Sequence, residues 1–245
     1  MNQLAAAKSA SDTLKVQVWR GRENGGLENY QVPLRQNQTV LDVITEIQRE
    51  QAPDLSYRFS CRVGVCGSCA MTVNGKPRWT CRTHVSKVAD EGILTIEPLR
   101  NLPLVKDLVC DLEPFIDTWQ KAGAIFEPTL DRHQAPAQVN PESKTRKAAD
   151  ASLQCINCAV CYSACDVVNW NRDYVGPAAL NRAWTLVNDE RHAGQKSTLD
   201  KVFEAGGCSN CHSHGNCTRH CPIELTPSVS IAGLKRAAFK GVPKG

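Results

Sequence analysis

Leu14, Val16 and Val18 alternate with polar residues near the start of the chain, with the period of a half-buried strand. Tyr30, Val32 and Leu34 alternate in the same way after a turn rich in Gly and Asn at 21–26. Val40, Val43, Ile44 and Ile47 then recur at helical spacing behind Thr39, with Asp42 three residues on. That capping-box start predicts a helix to about Glu50. Met71 to Val73, then Asn74-Gly75, then Arg78 to Thr80 is a hairpin signal. Ile93, Leu94 and Ile96 predict a last strand before Pro98. This order of elements over residues 13–100 suits a β-grasp layout.

The second half carries a different period. Leu104, Val105, Leu108, Leu112, Phe115, Ile116 and Trp119 recur at helical spacing, so 100–125 reads as amphipathic. Residues 127–148 hold three prolines and many polar groups and read as a linker or surface crossing. From about 150 the pattern is helical. Gly176-Pro177 opens a helix with Leu180, Trp184 and Leu186, and Leu199, Val202 and Phe203 mark another. Thr226-Pro227 starts a last helix carrying Val229, Leu234 and Phe239.

Composition changes this picture in one respect. Thirteen cysteines in 245 residues is many, and an odd number cannot pair fully as disulfides. Met1 to Thr13 has no apolar stretch of a secretory signal, so a reducing compartment and metal-ligating thiols are expected. No apolar run reaches the roughly 18–20 residues of a membrane span. Net charge is +4, with basic residues scattered apart from Lys144–Lys147 and Lys235-Arg236, which argues against a nucleic-acid surface.

The cysteines fall into three groups. Cys61, Cys66, Cys69 and Cys81 follow C-x4-C-x2-C…C, the opening of a plant-type [2Fe–2S] loop. Gly64 and Gly67 permit a backbone that aims several N–H groups at sulfur. Cys155, Cys158, Cys161 and Cys165 form C-x2-C-x2-C-x3-C, and Cys211, Cys217 and Cys221-Pro222 repeat it with His214 in one cysteine slot. In bacterial two-cluster ferredoxins the last cysteine of each run serves the other cluster. That rule assigns Cys155, Cys158, Cys161 and Cys221 to a [4Fe–4S] cluster. Cys165, Cys211 and Cys217 remain, and three thiolates favour [3Fe–4S]. His214 or Cys208 could complete a fourth corner; the plainer readings pack His214 beside the cluster and bury Cys208 as a small apolar residue. Cys110 reads as a buried free thiol, and His84 as a surface residue. Zinc is the competing reading, but the C-x4-C loop with two glycines fits it less well.

With these residues in place, the chain resembles the iron–sulfur subunit of succinate dehydrogenases and quinol:fumarate reductases over about residues 13–240. The resemblance rests on Ala52-Pro-Asp-Leu-Ser-Tyr-Arg-Phe-Ser-Cys61 running into Cys66-Gly-Ser-Cys69-Ala-Met, on Lys106-Asp-Leu-Val with Asp111, and on Cys155-Ile-Asn-Cys158, Cys161-Tyr-Ser-Ala-Cys165 and Gly176-Pro-Ala. It implies an α+β chain. A β-grasp plant-type ferredoxin domain, 1–105, precedes an all-α bacterial-type two-cluster ferredoxin domain, 106–245. It also implies electrons carried singly from the FAD of a flavoprotein subunit through [2Fe–2S], [4Fe–4S] and [3Fe–4S] to quinone. The same resemblance implies a membrane anchor, with or without haem b, at the acceptor end, and a peripheral chain on the cytoplasmic side of the inner membrane. A related flavin dehydrogenase with another dicarboxylate or a non-quinone acceptor is the alternative. Trp170, His212 and Lys235 match positions at the family's quinone end. Asp166 stands where proline is usual, Asn169-Trp170 where a Trp pair is common, and Val63 where a polar residue is frequent.

Overall fold

Residues 13–240 are described by the structure, a computed structural model, and the chain forms two compact units. One takes the chain up to Leu99 and again Leu104–Cys110; the other takes Arg100–Pro103 and Asp111 onward.

In the first unit, β1 (Thr13–Arg20) pairs antiparallel with β2 (Gly26–Pro33) and parallel with β5 (Ile93–Glu97). The hairpin of β3 (Ala70–Val73) and β4 (Lys76–Trp79) joins antiparallel to β5, giving the order β2-β1-β5-β3-β4. Leu14, Val16 and Val18 point to one core with Leu94 and Ile96, and α1 (Val40–Glu50) covers it with Val40, Val43, Ile44 and Ile47. Thr39 Oγ1 accepts the Asp42 N–H at 3.2 Å, while the Asp42 carboxylate accepts the Thr39 N–H at 3.0 Å, so the capping box closes both ways. Asn74 and Gly75 sit at φ 46° and 72°, the left-handed pair that a two-residue hairpin needs. Thr80 leaves the strand for a 3-10 turn, Thr80–Arg82. Leu34 lies beyond β2 and is 47% exposed, because β2 is an edge strand whose burial is confined to Val32. His84 is half-buried rather than on the surface, since its backbone bridges to Thr39.

The helical spacing over 104–112 does not become a helix. β6 (Leu104–Lys106) and β7 (Val109–Cys110) form a hairpin, and Asp107 between them has φ 51°. Its fully buried carboxylate accepts the Gly21 N–H at 2.6 Å and the Ser56 N–H at 2.8 Å, with Arg20 Nε at 3.4 Å. Leu108 N–H donates to Ser56 O at 3.1 Å. These distant partners outweigh the local period. Helix begins at α2 (Glu113–Lys121), with proline in its first turn.

The second unit is helical. α6 (Gly176–Asn188) is its centre, with Ala179, Leu180, Ala183 and Val187 completely buried. Around it pack α2, α3 (Lys144–Leu153), α7 (Gln195–Lys201) and α9 (Pro227–Lys240). A side chain at Gly233 of α9 would come within 2.7 Å of the Trp184 ring, so glycine sets the close crossing of α9 on α6. Val229 and Phe239 of α9 are 58% and 93% exposed; its buried face is Ile231, Leu234 and Ala237. The stretch read as a linker ends in α3, capped by Ser143, whose Oγ accepts the Arg146 N–H at 3.1 Å. Before that, Thr129 N–H donates to Arg191 O and Ala193 N–H to Glu127 O, at 2.9 and 2.8 Å. Single turns α4 (Val160–Ser163) and α8 (Asn216–Arg219) carry Cys161 and Cys217, and Cys165 immediately precedes a third, α5 (Asp166–Trp170). Among the described residues no helix is long and apolar enough to cross a membrane.

Two stability predictions arise here. Asp107→Ala strands two partly buried N–H donors, those of Gly21 and Ser56, at a cost of roughly 2 kcal/mol; calorimetry of the purified protein should show a lower unfolding temperature. The second concerns pH. Burial opposes the charge on Asp189, but hydrogen bonds from the Arg191 side chain and N–H and from Arg146 outweigh it and hold the carboxyl well below its usual range. A depressed carboxyl stabilises the fold above its unfolded value, about 3.9, and loses that contribution as pH falls through and below it. Asp189→Asn should therefore lower stability at neutral pH and flatten its decline below about pH 4 in unfolding titrations.

Candidate metal centres

The loop from Cys61 to Cys69 is shaped by backbone. Arg62, Gly64 and Gly67 take φ 58°, 77° and 71°, which turns successive N–H groups inward. Val65 and Cys66 N–H groups point at Cys61 Sγ at 3.3 and 3.4 Å. With the Val63 N–H they hold the Cys61 thiol down to about 6. Opposite it, burial and the neighbouring Cys69 thiol push Cys81 up to about 12, with Cys61 adding to the effect. A side chain on Gly64 would meet the Trp79 ring at 2.9 Å and Arg82 Cγ at 3.0 Å, so the loop lies flat on the end of β4. Thr80 fixes the returning turn, its N–H and Oγ1 both donating to Cys69 O at 3.1 and 2.9 Å. Cys69 and Cys81 are buried with Leu41, whereas Cys66 is exposed.

In the second unit Cys155, Cys158, Cys161 and Cys221 line one cavity between α4 and α6, with Phe115 and Ala178 among its walls. Burial pushes the Cys158 thiol up to about 12, and Cys155 and Cys221 push it the same way against the Val160 N–H. Cys155 is raised by burial first and by Cys221, against the Asn157 N–H and the Arg182 charge. Cys161 stands well above the ordinary thiol range, from burial and then from Cys158 and Cys155. Asn157 and Ala159 supply the left-handed turns of this loop, at φ 55° and 58°.

Cys165, Cys211 and Cys217 form the other group. Burial raises Cys217 to about 11, with Cys165 and Cys211 acting in the same direction. Cys165 is raised by burial and by Cys211 and Asp166, while the Val168 and Val167 N–H groups oppose this. Ser213, at φ 61°, directs its N–H to Cys211 Sγ at 3.4 Å. Cys208 is completely buried and faces Lys235 and Cys211; burial raises its thiol to about 11. His214 is exposed: its ring stacks on His212 at 6.0 Å, and both stand edge-on to Trp170 at 5.9 and 6.0 Å. Lys235 Nζ donates to Cys211 O at 2.7 Å, which brings all three residues of the expected quinone end to one edge. Cys110 is buried, with its thiol on Leu99 O at 3.4 Å.

Three further residues support these groups, of which Asn101 and Tyr174 carry no sequence signal of their own. Asn101 at φ 68° donates from Nδ2 to the carbonyls of Tyr162, Ser163 and Cys165 at 3.0, 3.2 and 3.0 Å. Tyr174 is buried against Cys211 and Cys165, which with its burial pushes its hydroxyl far up. Asp166 accepts Asn216 Nδ2 at 3.1 Å, tying α5 to α8.

Inward N–H groups and facing thiols fit thiolate-bound iron–sulfur clusters in all three places. Among the described residues no three His, Cys, Asp or Glu side chains are gathered to hold a single metal ion. Residues 13–117 match a 2Fe-2S iron-sulfur cluster binding domain, and residues 154–226 a 4Fe-4S dicluster domain. The chain is 38% identical over 216 residues to the succinate dehydrogenase [ubiquinone] iron-sulfur subunit 1, mitochondrial, of Oryza sativa, covering 86% of this chain and 75% of the relative. It is 35% identical over 216 residues to the fumarate reductase iron-sulfur subunit of Haemophilus influenzae, covering 84% and 83%. A chain of the Mycobacterium smegmatis Sdh1 complex superposes with a TM-score of 0.83 at 28% identity, covering 96% and 99%. The chain belongs to the iron–sulfur subunits of succinate dehydrogenases and fumarate reductases, the electron-transfer members of those oxidoreductase complexes, with [2Fe–2S], [4Fe–4S] and [3Fe–4S] clusters as their cofactors.

Proposed function

We propose that this chain carries electrons one at a time between the FAD of a flavoprotein partner and quinone at a membrane anchor. The ligand sets are Cys61, Cys66, Cys69 and Cys81 for [2Fe–2S]; Cys155, Cys158, Cys161 and Cys221 for [4Fe–4S]; and Cys165, Cys211 and Cys217 for [3Fe–4S]. The observation that carries the second and third sets is a crossing: Cys221 faces Cys155 and Cys158, while Cys165 faces Cys211 and Cys217. Each run thus places its last sulfur with the other run, which holds two centres next to each other.

When bound, the clusters supply one-electron carriers. The chain's own residues hold them, aim N–H groups at sulfur and keep water out, which sets potential and order. Trp170, His212 and Lys235 sit together beside Cys211, and this edge is the proposed contact with quinone. His214 stacks at the same edge, so we leave the third centre with three thiolates and no fourth ligand from His214 or Cys208. The chain is peripheral, held by the anchor on the cytoplasmic side of the inner membrane; haem b belongs to the anchor where one is present.

The complex should oxidise succinate or reduce fumarate with ubiquinone or menaquinone analogues, and inactivity with every quinone would overturn the reading. The crossing is tested separately. Cys165→Ser should remove the [3Fe–4S] resonance and spare [4Fe–4S], and Cys221→Ser should do the reverse, by electron paramagnetic resonance. The uncrossed pattern would reject these ligand sets. Trp170→Leu should reduce quinone turnover about tenfold, the scale of a lost aromatic contact. Cluster signals and electron delivery to an artificial acceptor at the flavin should stay unchanged.

A further inference from the structure

The proposed [4Fe–4S] cavity has one buried polar side chain in its wall that is not a ligand. Asn181 of α6 is 2% exposed and lines the cavity with Cys155, Cys158, Cys161 and Cys221. Its Oδ1 accepts Ser152 Oγ of α3 at 2.8 Å, and Ser152 Oγ lies 3.4 Å from Ser230 Oγ of α9. Ser152 and Ser230 are 3% and 4% exposed, so the three polar groups form a closed strip where three helices meet.

A carboxamide has one accepting end and one donating end. The serine side of this strip supplies a donor hydroxyl, which takes the oxygen. The cavity side presents only sulfur among the ligands, and thiolate and sulfide sulfur accept. The orientation that satisfies both sides puts Oδ1 on Ser152 and the NH2 toward the cavity. An amide donor on that side is stabilised by an acceptor in the cavity.

We propose that Asn181 is a tuning residue of the [4Fe–4S] centre, its Nδ2–H donating to a cluster or cysteine sulfur and Ser152 fixing that orientation. This rests on the ligand assignment above. A donor to sulfur stabilises the more negative, reduced state, so Asn181 raises the potential of this centre above that of an apolar neighbour. The effect is local, because the wall it occupies belongs to this cavity.

The test is a redox titration of the purified complex followed by electron paramagnetic resonance. Asn181→Leu should move the [4Fe–4S] midpoint to a more negative potential. At a fixed potential the ratio of reduced to oxidised cluster should fall on the order of tenfold, the scale of one hydrogen bond to a charged group. The [2Fe–2S] and [3Fe–4S] midpoints should not move. Ser152→Ala/Asn181→Leu removes the stranded hydroxyl as well and serves where the single variant fails to assemble. Ser152→Ala alone should shift the midpoint the same way by less. An unchanged [4Fe–4S] midpoint in an assembled Asn181→Leu or double variant overturns the proposal, as does an equal shift of all three centres. Failure of the ligand assignment looks different, since Cys221→Ser would then leave the [4Fe–4S] resonance in place.

Discussion

Thiolate sulfurs repel one another, and each of the three cysteine groups of this chain gathers at least three of them. The unfavourable part is visible in Cys81, Cys158 and Cys161, where burial and neighbouring sulfur push the thiols up. What offsets it is backbone. Arg62 with Gly64, Asn157 with Ala159, and Ser213 with Gly215 take left-handed φ between 55° and 77° within or beside the cysteine spacings. Residues so placed turn adjacent N–H groups to one side, and that side holds the sulfur. One backbone device recurs in a β-grasp loop and in two helical runs, because the electrostatic demand is the same.

Loops of that kind cannot hold themselves, and each unit braces them in its own way. In the first unit the end of β4, the turn after it and the 104–110 hairpin do it: Thr80 clamps Cys69, Trp79 floors Gly64, and the Asp107 carboxylate fixes Ser56 in the segment leading to Cys61. In the second unit the braces are side chains reaching backbone carbonyls. Asn101 holds those of Tyr162, Ser163 and Cys165, and Lys235 holds that of Cys211. Carbonyls tied away from sulfur leave the N–H face to the cluster.

Features with a local cause were legible in the sequence. The Thr39 and Asp42 box, the Asn74-Gly75 turn and the alternation of Leu14, Val16 and Val18 each fix their own neighbourhood, and cysteine spacing fixes which sulfurs a loop offers. The hairpin at 104–110 was not legible, because Asp107 finds its partners at Gly21 and Ser56, far away in sequence. Apolar residues also mislead where a helix keeps one exposed face, as Val229 and Phe239 do. The stacking of the His214 ring on His212 has no signature in the spacing either, because it is a contact between two side chains rather than a backbone feature.

Asp166 shows how such a chain tolerates change at a centre. A proline there would fix the entry to α5 through its own φ. Aspartate has no such stiffness, and it adds a negative charge that raises Cys165. Two side chains compensate. Asn216 donates to Asp166 at 3.1 Å and so joins α5 to α8, the turns beside Cys165 and Cys217. Lys235 brings its positive charge to Cys211 O at 2.7 Å on the far side of the same group. The first replaces a backbone restraint with a side-chain restraint, so the positions of the sulfurs survive. The second opposes the added charge, and an opposing pair of this kind changes the field at the centre less than either member alone. The positions of these sulfurs and the charge around them are therefore set by separate side chains, so a residue other than proline at 166 need not move the cysteines.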